Sequence, residues 1–197
     1  MATTDPQVTN LGHDTKIDED QEQKQWYAMR ATFRRELKAK DLLDASGIET
    51  FIPMHNVVKQ LRGRRVKLME PVIHNLLFVR CEKSVLQAFK AKVPFLQYMT
   101  TVSQGKRVPI VVPDKQMDDF IQVANTYDSQ LLFLEPGSVN LTKGARVRIH
   151  GGPFDGLEGV LTKVQGKRNK RVVVAIQNVI AVAFDYLEPD SLEYVKT

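Results

Sequence analysis

The sequence predicts an α+β protein with two domains. Short apolar runs alternate with amphipathic helical patterns through residue 132, which favours a sheet with flanking helices. The turn residues Glu135-Pro136-Gly137-Ser138 interrupt this pattern, and short strands with glycine-rich turns follow them. We therefore expect four segments: a disordered acidic tail over 1–23, a first domain over 24–132, a linker over 133–141 and a small β-barrel over 142–195.

The first domain begins with an apolar, aromatic-led strand at Trp26-Tyr27-Ala28-Met29. Apolar residues at helical spacing predict a helix over 32–45, which Gly47 can end. A short second strand over 48–53 follows. The segment 56–71 then alternates around a central glycine, as expected of a long β-hairpin.

The rest of the first domain continues the alternation of strands and helices. An apolar strand spans 72–81, and a helix begins at Ser84, because Ser84 and Gln87 form a capping-box pattern. Residues 95–102 have the composition of another strand. The pair Pro113-Asp114 opens a third helix with one apolar face.

The second domain opens with the most informative stretch of the chain. A strand over 146–149 runs into a glycine-rich turn, and another strand starts at Val160. The glycines allow positive φ in a tight turn, the proline fixes φ, and the phenylalanine anchors the turn in a core. The motif residues are Gly151, Gly152, Pro153, Phe154, Gly156 and Gly159.

A second feature of this domain is a hairpin that is apolar on both of its faces. Residues 172–176 and 179–184 contain no polar side chain. A small barrel has one interior, so the outer face must be exposed or covered. We expect Val173, Ile180 and Val182 to form a docking surface, for another protein or for the first domain in an autoinhibited state.

The chain is basic overall, with a formal net charge of +5, although residues 1–23 are acidic. This favours a polyanionic neighbour; the alternative is a soluble basic protein without one. Two basic clusters are candidates for nucleic-acid binding, and a solvated charged surface is the alternative for each. The helix cluster consists of Arg34, Arg35 and Lys38. The hairpin cluster consists of Lys59, Arg62, Arg64, Arg65 and Lys67.

The sequence contains no pattern that points to an enzyme. No nucleotide-binding loop, nucleophile elbow or dinucleotide fingerprint occurs, and we expect no cofactor. The four histidines and the single Cys81 lack metal-ligand spacing, so we expect no metal, and Cys81 is best read as an ordinary strand thiol. The absence of a signal segment or membrane-length apolar run predicts a cytoplasmic protein without a membrane partner. We also expect a monomer.

The order of these parts resembles the NusG family over residues 24 to about 190. That resemblance implies an NGN domain, which is an antiparallel sheet with flanking helices, followed by a KOW barrel of SH3-like form. Three stretches are most similar to the specialised antiterminator paralogues RfaH and UpxY, the latter acting on capsular polysaccharide operons. They are Ala31-Thr32-Phe33-Arg34-Arg35-Glu36, Phe51-Ile52-Pro53-Met54 and Val108-Pro109-Ile110-Val111-Val112-Pro113.

The resemblance also implies partners. In the family, a hydrophobic depression of the NGN domain binds the clamp helices of the RNA polymerase β′ subunit, and a second contact reaches the gate loop of the β subunit. The depression corresponds to Ile73, Leu76 and Phe78, although Ile73-His74-Asn75-Leu76 departs from the family's usual strand entry. The gate-loop contact corresponds to Gln87, Ala88 and Phe89. The basic clusters would meet upstream or non-template DNA.

We therefore expect an elongation and antitermination factor that acts on one or a few operons. The first alternative is the housekeeping NusG, which couples transcription to termination and translation through its KOW barrel, for example by binding a ribosomal protein. The second is a ribosome- or RNA-binding KOW protein that never meets polymerase. The block from Trp26 to Ala124 argues against the second alternative, because such proteins lack an NGN domain.

Overall fold

A computed structural model describes residues 23–126, 131–135, 138–176, 178–185 and 191–195. Nearly all of the expected acidic tail lies outside these residues. The strands and helices of the first domain are β1 Gln25–Ala31, α1 Glu36–Asp44, β2 Glu49–Phe51, β3 Met54–Leu61, β4 Arg64–Pro71, β5 Leu76–Cys81, α2 Lys83–Lys92, β6 Leu96–Tyr98, β7 Thr100–Ser103, β8 Lys106–Pro109, β9 Val111–Val112 and α3 Asp114–Ala124. None of the helices in these described ranges has the length and apolar character needed to cross a membrane.

The first domain is built on an antiparallel sheet with the strand order β2-β5-β1-β6, and β9 also pairs with β1. Alternation along β5 sends Leu76 and Phe78 to one face and Leu77 and Val79 to the other, as the sequence predicted. The second face packs on α1 and α2, with Leu43 of α1 in its core. The first face packs on α3.

Helix α1 begins four residues later than the sequence predicted. Phe33 and Arg34 both have positive φ, at 63° and 54°, and a right-handed helix cannot contain such residues. The two residues form a turn, Arg35 is the N-cap, and Glu36 is the first helical residue. Of the three bases assigned to this helix, only Lys38 lies within it.

Two further boundaries differ from the prediction. Helix α2 starts at Lys83 with Glu82 as its N-cap and without a side-chain capping bond, so the expected capping box at Ser84 is wrong. The strand expected over 95–102 is two strands in different sheets, since β6 pairs with β1 and β7 pairs with β8. The helix that starts after Pro113 is confirmed as α3.

The second domain, called the barrel below after its predicted form, contains a six-stranded antiparallel sheet with the order β10-β14-β13-β12-β11-β15. Its strands are β10 Leu132–Leu134, β11 Ala145–Ile149, β12 Glu158–Lys163, β13 Lys170–Ile176, β14 Ile180–Phe184 and β15 Leu192–Tyr194. Strand β10 begins at the last residue of the expected first domain and continues into the expected linker, and it pairs with β14. The chain therefore joins the barrel sheet before the glycine-rich motif begins.

The glycine-rich turn fulfils two different requirements. Gly151 and Gly152 have φ of 78° and 68°, which only glycine adopts without strain, and a short 3-10 turn follows over Gly152–Phe154. Gly159 has no such φ. A Cβ there would lie 2.7 Å from Val172 Cγ1 and 3.0 Å from the carbonyl oxygen of Val173, so this glycine permits close contact between β12 and β13.

Both faces of the apolar β13–β14 hairpin are covered. On one face, Val173 belongs to a cluster with Leu132 and other residues of the preceding segment. On the other face, Ile180 and Val182 belong to a cluster that continues into α3 and the first sheet. The three residues expected to form a docking surface are each at most 1% exposed. Val173 lies on the opposite face from Ile180 and Val182, so the three residues do not form the single docking surface that the sequence predicted, and both faces are covered.

The two domains share one apolar cluster. It contains Phe78 from the first sheet, Phe120 from α3 and Val182 from the barrel, all fully buried. Helix α3 contacts β1 on one side and β13 and β14 on the other. The molecule therefore has a layered order of two helices, sheet, single helix and barrel, and Leu76 and Phe78 lie between the sheet and the single helix.

Candidate functional site

The apolar face of the first sheet is the first candidate surface. Leu76 and Phe78 point toward α3 and are 3% and 0% exposed, while Ile73 is half-buried at the rim. The ring of Phe120 lies 6.1 Å from that of Phe78 and 6.3 Å from that of Phe51 in an edge-on arrangement, so aromatic packing fixes this face. In this conformation α3 and the barrel cover the face.

A cleft of about 380 Å³ marks the place where the barrel meets the rim of that face. Its first-domain wall includes Ile73, Leu76 and Ile110. Its barrel wall consists of Asn178 and Val179, at the turn between β13 and β14. The barrel hairpin therefore lies beside the residues that the family resemblance assigns to polymerase binding, and no large partner could reach them without displacing it.

Polar contacts tie α3 to the barrel in addition to the apolar cluster. Gln116 Nε2 donates a hydrogen bond to the carbonyl oxygen of Ala175 at 2.5 Å, and Gln122 Nε2 donates one to the carbonyl oxygen of Pro153 at 2.8 Å. The second bond reaches the glycine-rich turn itself. That turn is anchored by Phe154, whose ring lies 4.8 Å from the ring of Phe184. The motif thus serves the contact between the domains as well as the barrel.

The residues aligned with a gate-loop contact lie together on α2. Gln87 and Ala88 are exposed, and Phe89 is half-buried against the cluster beneath α1 and α2. They belong to the opposite face of the sheet from Leu76. The two assigned polymerase contacts therefore lie on different sides of the first domain.

The basic hairpin is a two-stranded ribbon, β3–β4, with eight paired positions. Arg62 and Gly63 form its turn with φ of 49° and 78°, as a two-residue hairpin turn requires. The register places Lys59 and Arg64 on one face and Arg65 and Lys67 on the other.

All five bases of the ribbon are exposed, but they are not equivalent. Lys59 forms an ion pair with Glu70 of β4. The charge of Lys59 is therefore already compensated. Arg62, Arg64, Arg65 and Lys67 have no ion pair among the described residues.

The turn before α1 holds an aromatic residue that the sequence analysis did not single out. Phe33 is 80% exposed, and Arg35 Cζ lies 5.3 Å from the centroid of its ring and 5.1 Å from that of Phe95. Asn75 Oδ1 accepts a hydrogen bond of 2.7 Å from the backbone N of Arg34. Two adjacent left-handed residues cost roughly 1–2 kcal/mol each. The only signal in the sequence for an exposed ring was the position of Phe33 on the polar side of the helix predicted over 32–45.

Burial shifts the pKa of three groups in or beside the cluster beneath α1 and α2. Burial raises the pKa of the Cys81 thiol to about 11, and the neighbouring Glu82 adds to this effect. Burial also raises the pKa of Tyr98 to about 12 and lowers that of Lys90, whose Nζ lies 4.0 Å from the centre of the Tyr98 ring. Within the described ranges, no group of three His, Cys, Asp or Glu side chains is placed to hold a metal.

Comparison with known proteins bears on the first domain directly. Residues 24–121, about half of the chain, match a family model described as "Transcription termination factor nusG". The first domain belongs to the NusG family. The predicted fold class is thereby confirmed: a NusG-type domain of sheet and helices precedes a second, all-β domain. Transcription regulation and elongation are the processes in which this family acts, and its members are transcription factors and not enzymes.

Among curated proteins, none matches this chain. Several solved structures are similar to it, two of them over most of the chain. One, described as "Domain interaction in Thermotoga maritima NusG", is 22% identical with a TM-score of 0.43 and covers 88% of this chain and 98% of its own. The other, the "MjSpt4:Spt5 complex conformation B", is 14% identical with a TM-score of 0.25 and covers 87% of this chain and 97% of its own.

Proposed function

We propose that this protein is a transcription elongation and antitermination factor that promotes processive transcription of one or a few operons, those for capsular polysaccharides being the first candidates. The match of residues 24–121 to the NusG family supports the general role. The specialised role is supported by Ile73-His74-Asn75-Leu76, which departs from the usual strand entry, and by the acidic residues of 1–23.

In this proposal the apolar face of the first sheet binds the clamp helices of the polymerase β′ subunit. The observation that carries the proposal is the apolar cluster around Leu76 and Phe78, with Ile73 at its rim, in a NusG-family domain. Gln87, Ala88 and Phe89 on α2 face a different direction and would reach the β subunit. A protein that binds both the β′ and the β subunit, across the DNA cleft of the polymerase, favours the closed clamp, and no chemical step is needed.

The cover over the apolar face of the first sheet places a condition on polymerase binding. Phe78 stays packed on Phe120 of α3. The barrel turn at Asn178 and Val179 lies beside Ile73 and Leu76, so the barrel must leave before a helix of the polymerase can pack on that rim. The free protein is then a closed form, and polymerase selects an open form that is less populated. The exposed bases of the β3–β4 ribbon would meet phosphates of upstream DNA, which contributes affinity and position without sequence information.

A binding assay with purified RNA polymerase tests the proposal. Ile73 is half-buried at the rim, so Ile73→Asp puts a charge on the proposed surface while leaving the core intact. We expect it to weaken binding at least tenfold, whereas Val102→Asp, on the exposed β7–β8 hairpin, leaves binding unchanged. A folded Ile73→Asp protein that binds normally would remove this face from the proposal.

Sequencing of RNA after deletion of the gene separates the specialised factor from the housekeeping one. We expect reduced transcript levels in the distal part of one or a few long operons. Changes spread over most transcripts would favour the housekeeping NusG, and a ribosome-associated protein with no polymerase affinity would favour the KOW-only alternative.

A further inference from the structure

The side chain of Phe33 is turned into solvent by the backbone. At 80% exposed, it is the most exposed large apolar side chain in the described part of the chain. Left-handed φ is uncommon for any residue other than glycine, and for a bulky one it is an outlier that the surroundings must enforce. The fold therefore sustains strain at a place where the ring contributes almost nothing to the core.

Hydrogen bonds fix this turn at both ends. The carbonyl oxygen of Phe95 accepts from the backbone N of Thr32 at 2.9 Å, and Asn75 Oδ1 accepts from the backbone N of Arg34 at 2.7 Å. Asn75 itself has a left-handed φ of 69°. The position of Phe33 is thus set by two neighbouring segments of the domain, which distinguishes it from a side chain on a loose loop.

Arg35 orients the ring without covering it. Its guanidinium lies within cation–π distance of both Phe33 and Phe95, at 5.3 Å and 5.1 Å from the ring centroids. Four-fifths of the Phe33 side chain still remains accessible, so a flat partner can stack on the ring.

The charges around the ring select a polyanion as that partner. Arg34, Arg35 and Lys38 are exposed. Glu36, the single acid among residues 33–38, is 2% exposed and turns inward, where its Oε1 lies 3.3 Å from His74 Nδ1. Within residues 33–38 the exposed charges are therefore all basic.

We propose that Phe33 is a stacking platform for one unpaired base of a single-stranded nucleic acid, whose flanking phosphates bind Arg34 and Lys38. An exposed aromatic ring beside cationic side chains is the combination by which proteins hold single strands, because every base has a π face and every linkage a negative charge. The proposal rests on the proposed DNA contact of this protein and deepens it by naming a base-contacting residue and the strandedness of its ligand.

Fluorescence anisotropy of the full-length protein with a labelled single-stranded oligonucleotide tests the proposal. Phe33→Ala should weaken binding by roughly 5- to 150-fold, the range for loss of one stacked base. Phe33→Trp should preserve or strengthen binding. Leu37→Ala removes another exposed apolar side chain, 46% accessible, from the next turn, and should leave affinity unchanged.

An oligonucleotide with a run of abasic sites separates stacking from charge. Phe33→Ala should bind it as tightly as the unaltered protein does, because the phosphates remain and the bases are gone. Phe33→Ala should also leave the salt dependence unchanged, whereas Arg34→Ala should flatten the slope of log affinity against log salt by about 0.7 for each lost phosphate contact. An equal loss of affinity for normal and abasic strands in Phe33→Ala would overturn the stacking role.

The polymerase-binding assay distinguishes failure of the stacking proposal from failure of the proposed transcription function. Phe33→Ala should bind polymerase normally in the absence of DNA. Loss of polymerase binding with unchanged oligonucleotide binding would mean that the ring docks on a protein, and would overturn the platform. If polymerase fails to bind the unaltered protein while the oligonucleotide results hold, the general function fails and the platform stands.

Discussion

Gln116 of α3 donates a hydrogen bond to the carbonyl oxygen of Ala175 in β13, and this bond crosses from the first domain to the barrel. Gln116→Glu replaces the donor with an oxygen, so two acceptors meet in a half-buried position. We expect this to weaken the contact between the domains by about 1–3 kcal/mol. Hydrogen exchange should then show faster exchange in α3 and β13, and the affinity for polymerase should rise.

Asp118→Asn is the matched control for that variant, because Asp118 is exposed on the same helix. It should change neither hydrogen exchange nor polymerase binding. If Gln116→Glu loosens the contact and polymerase affinity stays the same, the barrel does not compete with polymerase for the first sheet.

Phe120→Ala should destabilise the whole protein. Phe120 is fully buried, and its ring packs against those of Phe51 and Phe78. Removal of such a ring costs about 3–5 kcal/mol in the free energy of unfolding, because a cavity remains. Denaturant titration measures the loss. The free energy of unfolding of Phe33→Ala, at an 80% exposed position, should stay within about 0.5 kcal/mol of that of the unaltered protein. A similar loss in both variants would contradict the burial of Phe120.

Charge reversal on the β3–β4 ribbon should weaken duplex DNA binding. The variant Arg64→Glu/Arg65→Glu changes both faces of the ribbon. Its effect should be largest at low salt, where exposed charges are least screened. Lys59→Ala should have a smaller effect than Arg64→Ala, because Glu70 already compensates Lys59. Gel-shift titrations at two salt concentrations measure the DNA affinity. Equal losses of affinity for Lys59→Ala and Arg64→Ala would show that the ion pair with Glu70 does not distinguish the two residues.

Cys81 should be unreactive in the folded protein. Burial raises its pKa to about 11, so at pH 8 only about one thiol in a thousand is the reactive thiolate. Iodoacetamide labelling followed by mass spectrometry should be at least 100-fold slower than in guanidinium. Since the folded pKa is the higher one, the contribution of this group to stability is complete below about pH 9 and declines toward pH 11. Rapid labelling at pH 8 would show that the strand opens.

Local patterns in the sequence predicted much of the fold because its main determinants are local. Alternation along β5 placed Leu76 and Leu77 on opposite faces correctly, and the apolar face of α3 was visible as helical spacing. The start of α1 was wrong because Phe33 and Arg34 have ordinary helix propensity. Their left-handed backbone is stabilised by Asn75, 41 positions away from Arg34, and no local pattern reports that bond.

The candidate site was less predictable because it depends on contacts between domains. The sequence showed that both faces of β13–β14 are apolar, but the identity of what covers each face depends on tertiary packing. The ion pair between Lys59 and Glu70 was unpredictable for a similar reason, because it depends on the hairpin register and not on neighbouring positions in the sequence. The family match to residues 24–121 leaves the individual site residues as predictions.

The short connection between α3 and β10 limits how far the barrel can travel. Only residues 125–131 separate Ala124 from Leu132, and β10 is paired to β14 of the barrel. At about 3.5 Å per residue, this tether spans at most roughly 25 Å. A released barrel therefore remains at an effective concentration in the millimolar range relative to α3. A partner that displaces the barrel therefore competes with a domain that remains tethered nearby. When that partner dissociates, the barrel can pack on α3 again without a further signal.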